Sequence, residues 1–257
     1  MAKNQFVTLS QENSILTLTL NRPELLNALS LDLVKELAAS LKRVAKQKDI
    51  QVVILRGAGA SFSAGGDLKH FHRHLKKARQ DFATVSEYLN QSILTMRQMP
   101  QPVIAAVTGP AYAAGFGLVL AADLAVATVK ATFSPSFIKV GLAANASTSF
   151  YLPRLLGRKL ASEILFLGTK FSAYEALKLG FINRVWFKEK FEEELKHFAE
   201  QLLGKPKTTL ARMKTLLARS LDASLAAQLK LEKSQISASA GEKAFAEGVA
   251  AFVEKRR

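Results

Sequence analysis

Alternation of apolar and polar side chains marks the start of the chain as strand. Residues 6–9 and Ile15–Leu20 carry the two-residue period of extended backbone, and Glu12-Asn13 supplies a turn between them. The period then lengthens: Leu33, Val34, Leu37, Leu41 and Val44 recur at helical spacing behind Ser30, a residue type that caps helix N-termini. The unbroken apolar run Val52-Val53-Ile54-Leu55 predicts a short strand buried on both faces and ending at Gly57. A small-residue loop is expected over 58–66. A helical region follows, polar at first, and stops near Met99 ahead of Pro100 and Pro102. Residues 103–107 predict another buried strand, Gly109-Pro110 a turn into a helix of small residues, and 123–127 a further strand. Strand and helix alternate through this first part of the chain, which predicts sheets with covering helices.

Beyond about residue 142 the spacing is helical, over 173–179, 189–203, 206–220, 221–237 and 242–253, the last followed by a basic tail. Residues 181–186 are the one strand expected among them, with Trp186 and Phe187 reading as core. No low-complexity linker divides the chain.

Bulk properties narrow the function. The chain has 257 residues, 49% hydrophobic and 22% charged, enough for one sizeable core. It has no cysteine, which excludes disulfides and thiolate chemistry. Residues 1–10 lack the apolar stretch of an export signal, so a cytoplasmic location is expected. Residues 103–122 carry no charge and are long enough to span a bilayer, but Thr108-Gly109-Pro110 interrupts them and Asp123 closes them. Buried strand, turn and helix are expected there, with no membrane. The net charge of +15 points to a polyanionic partner, a nucleic acid or a phosphate-rich ligand such as coenzyme A (CoA). Basic residues concentrate at 69–79 and 205–219 without any nucleic-acid motif, so nucleic acid is the weaker alternative. His70 and His74 would share a helical face, but no further ligands accompany them, so a solvated face and no metal are expected.

Two segments place glycine and alanine between a buried strand and a helix start. They are residues 61–69 (Ser-Phe-Ser-Ala-Gly-Gly-Asp-Leu-Lys) and 109–117 (Gly-Pro-Ala-Tyr-Ala-Ala-Gly-Phe-Gly). Unpaired N–H groups and the positive end of a helix dipole suit a developing negative charge, and small side chains admit a substrate to the backbone. For either loop alone, a tight turn without a ligand is the plainer reading.

Together with residues 21–29 (Asn-Arg-Pro-Glu-Leu-Leu-Asn-Ala-Leu), 106–109, 121–127, 152–157, 173–180 and 245–256, these segments resemble the crotonase (enoyl-CoA hydratase/isomerase) family in order and spacing. The resemblance covers nearly the whole chain. It implies an α/β spiral of strand-strand-helix repeats binding acyl-CoA over residues 1–200. A helical trimerisation region over 201–257 would then build a homotrimer or a dimer of trimers. It implies CoA as part of the substrate and no other cofactor, with adenine against Ala64, Gly65, Gly66, Asp67 and Leu68, and with Arg22 and Ala28 close by. It also implies an oxyanion hole from the backbone N–H groups of Gly66 and Ala114, and a pocket bordered by Tyr112, Gly117 and Phe137.

The chain departs from the family at its acid–base positions. Hydratases of the family place two glutamates where this chain has Gly117 and Phe137. Some isomerases use an aspartate after a Val-Gly-Leu run, and here Val140-Gly141-Leu142 leads to Asn145. Ser147, Thr148, Ser149 and Leu152-Pro153 resemble dienoyl-CoA isomerases and chlorobenzoyl-CoA dehalogenase, and in the dehalogenase an aromatic and a nucleophilic aspartate occupy the Phe137 and Asn145 positions. An amide is a poor base but a good hydrogen-bonding group, which makes Asn145 a candidate substrate contact. Three readings stay open. Tyr112, Asp67, His70 or Glu87 supplies a substitute acid or base; the substrate carries its own leaving group, as in decarboxylation; or acyl-CoA is bound without turnover. The leading expectation is an isomerase- or lyase-like acyl-CoA enzyme, with a degenerate acyl-CoA binder and an RNA-binding hydratase homologue as alternatives. Asp67 is expected to cap the helix behind the loop, and Arg22 either to reach a CoA phosphate or to pair at the surface.

Overall fold

The computed structural model describes residues 5–254, so residues 1–4 and the end of the basic tail lie outside it. The chain opens with an antiparallel hairpin, β1 (Val7–Glu12) and β2 (Ile15–Leu20), which turns at Asn13 with φ 55°. Helix α1 (Leu31–Val44) starts where expected, with the Ser30 side chain accepting from the Leu33 N–H. Then come β3 (Val52–Gly57), α2 (Leu68–Arg73), α3 (Ala78–Gln98), β4 (Val103–Val107), β5 (Pro110–Tyr112) and α4 (Ala114–Ala121). They are followed by β6 (Leu124–Thr128), β7 (Thr132–Ser134), α5 (Thr148–Leu156), α6 (Arg158–Leu167), β8 (Phe171–Ser172), α7 (Ala173–Lys178) and β9 (Arg184–Trp186). Helices α8 (Phe191–Leu203), α9 (Lys207–Ser220), α10 (Leu225–Ala240) and α11 (Lys243–Val253) complete the described chain.

Strands β1-β2-β3-β4-β6-β9 form one sheet, parallel from β2 onward, and β5-β7-β8 form a second. The chain steps from the large sheet to the small one twice, β4 to β5 and β6 to β7, with helices after each pair. That is the expected strand-strand-helix spiral. An earlier turn of it survives as a single parallel bridge, Ser63 to Ala111, which lays the loop after β3 alongside β5.

The unbroken run in β3 follows from burial on both faces. Val53 and Leu55 join the main core, whereas Val52 and Ile54 meet Ile104, Val126 and α8 residues Phe191 and Leu195 on the other face. All eight residues of α4 are buried, so it is apolar all round because it crosses the core. Among the described residues no helix is long and apolar enough to cross a membrane.

Several boundaries move. Pro110 begins a strand instead of completing a turn, and β8 is a second strand beyond residue 142. Strands β7 and β8 have three and two residues, too few for a period to show in sequence. Helix α10 starts at Leu225 because Ser224 caps it. Trp186 packs on Phe191 and Phe198, but Phe187 lies past the end of β9 and is 64% exposed, not core.

Helix α9 is docked through a buried charge. Lys214 Nζ, on a side chain only 6% exposed, donates to Asp123 Oδ2 at 2.7 Å and to the Gln101 carbonyl at 2.7 Å. Asp123 also accepts from Arg97 and from the Val103 N–H. Burial pushes the Lys214 pKa down and Asp123 pulls it back only in part. The unfolded chain therefore holds this proton more tightly, so its stability cost applies below the folded pKa and fades as pH rises towards the ordinary lysine value. Asp123→Ala is expected to lose about 3–5 kcal/mol by stranding a buried cation. Lys214→Met should lose less, since Asp123 keeps Arg97 and the Val103 N–H; urea unfolding at neutral pH checks the order.

Candidate functional site

The site begins with a buried amide. Asn27 is fully buried with φ 54°, and its Nδ2 donates to the carbonyls of Ala58 (2.9 Å) and Ser61 (2.8 Å) while Oδ1 accepts from the Arg22 N–H (2.9 Å). Its carbonyl accepts from Ser63 Oγ at 2.8 Å, and Ser63 Oγ accepts from the Gly65 N–H at 3.2 Å. Backbone bonds Leu29 N–H to Gly65 O and Ala64 N–H to Leu26 O complete that side. On the other side, the Phe62 and Ser63 N–H groups donate to Pro110 O, and the Tyr112 N–H to Ser63 O. The 61–69 loop is thereby stitched between the 21–29 segment and β5, and the two small-residue loops become neighbours. At Gly65 (φ +92°) a Cβ would lie 2.8 Å from the Ala113 Cβ, a separation that only glycine permits.

Among the described residues neither the Gly66 N–H nor the Ala114 N–H has a protein acceptor. Ala114 is the first residue of α4, and Ala113 before it takes φ 46° and ψ −117°, a costly conformation for a residue with a Cβ. Asp67 Oδ1 caps α2 by accepting from the His70 N–H at 3.0 Å, and Oδ2 pairs with Arg22 at 2.9 Å. Burial raises the Asp67 pKa, but the bonds from His70 and Arg22 outweigh it and hold the carboxyl below its usual range. It is a fixed structural anion. Arg22 spends its guanidinium on Asp67 and the Ala28 carbonyl.

A cavity of about 250 Å3 opens beside these loops. Ala64, Gly66, Ala113 and Ala114 form one wall; Leu68, Phe71 and Phe82 form another, the two rings stacked at 3.8 Å. Phe137, Leu142, Ser136, Lys139, Ser86 and Asn145 also face it. Of the residues expected from sequence, the structure brings together Ala64, Gly66, Leu68, Ala114, Phe137 and Asn145. Arg22, Ala28, Gly65, Asp67, Tyr112 and Gly117 are not on its wall. Tyr112 instead shares a hydrogen bond with Thr132 Oγ1 at 2.9 Å. Gly117 lies behind Ala146: a Cβ there would sit 2.0 Å from the Ala146 carbonyl oxygen, so this position is closed by backbone.

The substitute acid–base candidates fare poorly. His70 faces Asp81 at 3.3 Å and stacks on His74, Glu87 accepts from Gln91, and neither lines the cavity. Among the described residues no Asp or Glu lines it, and no group of His, Cys, Asp or Glu is arranged to hold a metal ion. Sequence reasoning missed Ser86, Lys139 and the Phe71–Phe82 pair. Ser86, Phe71 and Phe82 lie in a region that read as an ordinary polar helix, and only packing shows that they line the cavity. A larger cavity of about 790 Å3 between α3, α5, α9 and α10 contains neither oxyanion candidate.

Comparison with known proteins identifies the family. The family model described as enoyl-CoA hydratase/isomerase matches residues 10–257. The chain is similar to 4-chlorobenzoyl coenzyme A dehalogenase-2 of Arthrobacter sp (32% identity over 250 residues, covering 97% of this chain and 91% of the relative). It is also similar to 1,2-epoxyphenylacetyl-CoA isomerase of Escherichia coli strain K12 (32% over 253 residues, 98% and 97%). A crystal structure of an enoyl-CoA hydratase from Polaromonas sp. JS666 superposes with TM-score 0.92 at 35% identity, covering 97% of each chain. With motifs, spiral and near-complete coverage in agreement, the chain belongs to the enoyl-CoA hydratase/isomerase family of the crotonase superfamily.

Proposed function

We propose that the protein is an acyl-CoA enzyme that holds a thioester enolate between the Gly66 and Ala114 N–H groups, in an isomerase- or lyase-like reaction. One observation carries this: two residues whose backbone N–H groups lack protein acceptors line a largely apolar cavity whose wall has no Asp or Glu among the described residues. When the α-carbon loses a proton or a carboxylate, charge moves to the thioester oxygen. Donors already fixed in place stabilise that charge without reorganising, and the α4 dipole adds to them. Two-glutamate hydration is disfavoured, because activating water needs a carboxylate that the wall lacks. The three phenyl rings support an apolar acyl group, and the two relatives above are named for 4-chlorobenzoyl and 1,2-epoxyphenylacetyl thioesters of CoA.

CoA itself is assigned to the loop Ala64, Gly65, Gly66, Asp67 and Leu68 with Arg22 and Ala28, next to the basic run 69–79. Assembly as a homotrimer or dimer of trimers is assigned to residues 201–257, supported by Leu217, Leu225, Ile236 and Phe252, all at least 68% exposed in the single chain. A second reading, acyl-CoA binding without turnover, is favoured by the backbone closure over Gly117.

Turnover of at least one member of an enoyl-, dienoyl-, malonyl- and aryl-CoA panel is expected. Tight CoA binding with no turnover anywhere would favour the second reading instead. Ala114→Pro deletes one donor at the first position of α4 and should cut kcat by about 10²–10³. A melting curve would show whether the fold survives. Restoring glutamates as Gly117→Glu with Phe137→Glu should yield no hydratase, because the first side chain displaces the Ala146 backbone at a cost of about 3 kcal/mol or more. Hydration by a stable double variant would contradict this.

A further inference from the structure

Helix α3 carries Thr84, Ser86, Ser92 and Thr95, and three of these hydroxyls behave alike. Thr84, Ser92 and Thr95 donate to the carbonyl four residues back, at 3.0, 2.9 and 2.7 Å. Ser86 does not. Its Oγ accepts from Asn145 Nδ2 at 2.8 Å, and among the described residues its own O–H has no protein acceptor. The direction of that bond is set by the neighbouring one: Asn145 Oδ1 accepts from the Ala146 N–H at 2.6 Å, which leaves only the NH2 end to face Ser86. With an oxygen lone pair engaged by the amide, the Ser86 proton is free to point into the cavity that both residues line.

We infer that Ser86, positioned by Asn145, is a hydrogen-bond donor that selects acyl-CoA thioesters carrying a hydroxyl or oxo oxygen on the acyl group. The inference rests on the acyl-CoA reading of the same cavity and goes beyond it by naming a substrate class. An apolar acyl chain would leave this hydroxyl unsatisfied in a desolvated pocket, and a site built to pair with an oxygen rejects the analogue that lacks it. Cavity size sets the scale of the acyl group. At about 30 Å3 per water-sized group, some eight such groups fit. Asn145 acts through Ser86 and is a positioning residue.

Calorimetry on the full chain tests this with CoA, octanoyl-CoA, and 3-hydroxy-, 5-hydroxy- and 3-oxooctanoyl-CoA. At least one oxygenated thioester is expected to bind about tenfold tighter than octanoyl-CoA, the scale of one hydrogen bond. Ser86→Ala should erase that preference and Ser86→Thr should keep it. Asn145→Asp should erase it too, since a carboxylate can only accept and would take the Ser86 proton for itself. The readout is the affinity ratio, which a general loss of packing would not shift selectively, and melting curves accompany each variant. Equal affinity for octanoyl-CoA and all the oxygenated thioesters, or a preference that survives Ser86→Ala, overturns the inference while the acyl-CoA reading stands. Failure of CoA and every thioester to bind overturns both.

Discussion

The site depends on one buried side-chain amide. Asn27 meets Ala58, Ser61 and Arg22 with its side chain, and its carbonyl holds Ser63, which in turn holds Gly65. Asn27 and Ser63 are buried, and leaving one of their polar groups unpaired would cost about 1–3 kcal/mol, so the loop has little freedom to shift register. Gly66 and Ala114 both line the cavity and carry N–H groups without a protein acceptor among the described residues.

The 145–147 turn closes the opposite side of the cavity and does two things at once. Ala146 and Ser147 both take left-handed backbone (φ 51° and 63°), which folds the turn onto α4 and seats the Ala146 carbonyl against Gly117. That contact leaves no room for a carboxylate side chain there. The same turn presents Asn145 to Ser86 as an oriented amide. Asp67, the carboxylate nearest the loop in sequence, is committed to Arg22 and the α2 cap. The site is therefore rich in fixed donors and poor in proton acceptors.

Burial decides the rest of the architecture. The large sheet is covered on one face by the main core and on the other by α8, and α9 is fastened beside it by Lys214 and Asp123. These elements hold still the two strand ends from which the small-residue loops depart.

Much of the fold was legible in the chain because its cause is local. Period-two and period-3.6 patterns located the hairpin, α1, β3, β4 and the late helices, Ser30 and Asp67 announced their caps, and the small-residue loops stood out by composition. Motif order was enough to identify the family. Tertiary structure alone decided which residues share the cavity. Gly117 and Tyr112 read as pocket residues by position but turn away, the one under Ala146 and the other towards Thr132. Ser86 and the Phe71–Phe82 pair were invisible because a helix's pattern tells which face is buried, not what it is buried against. Where two segments far apart in sequence meet is fixed by packing and by the pairing of desolvated polar groups, and no local period records it.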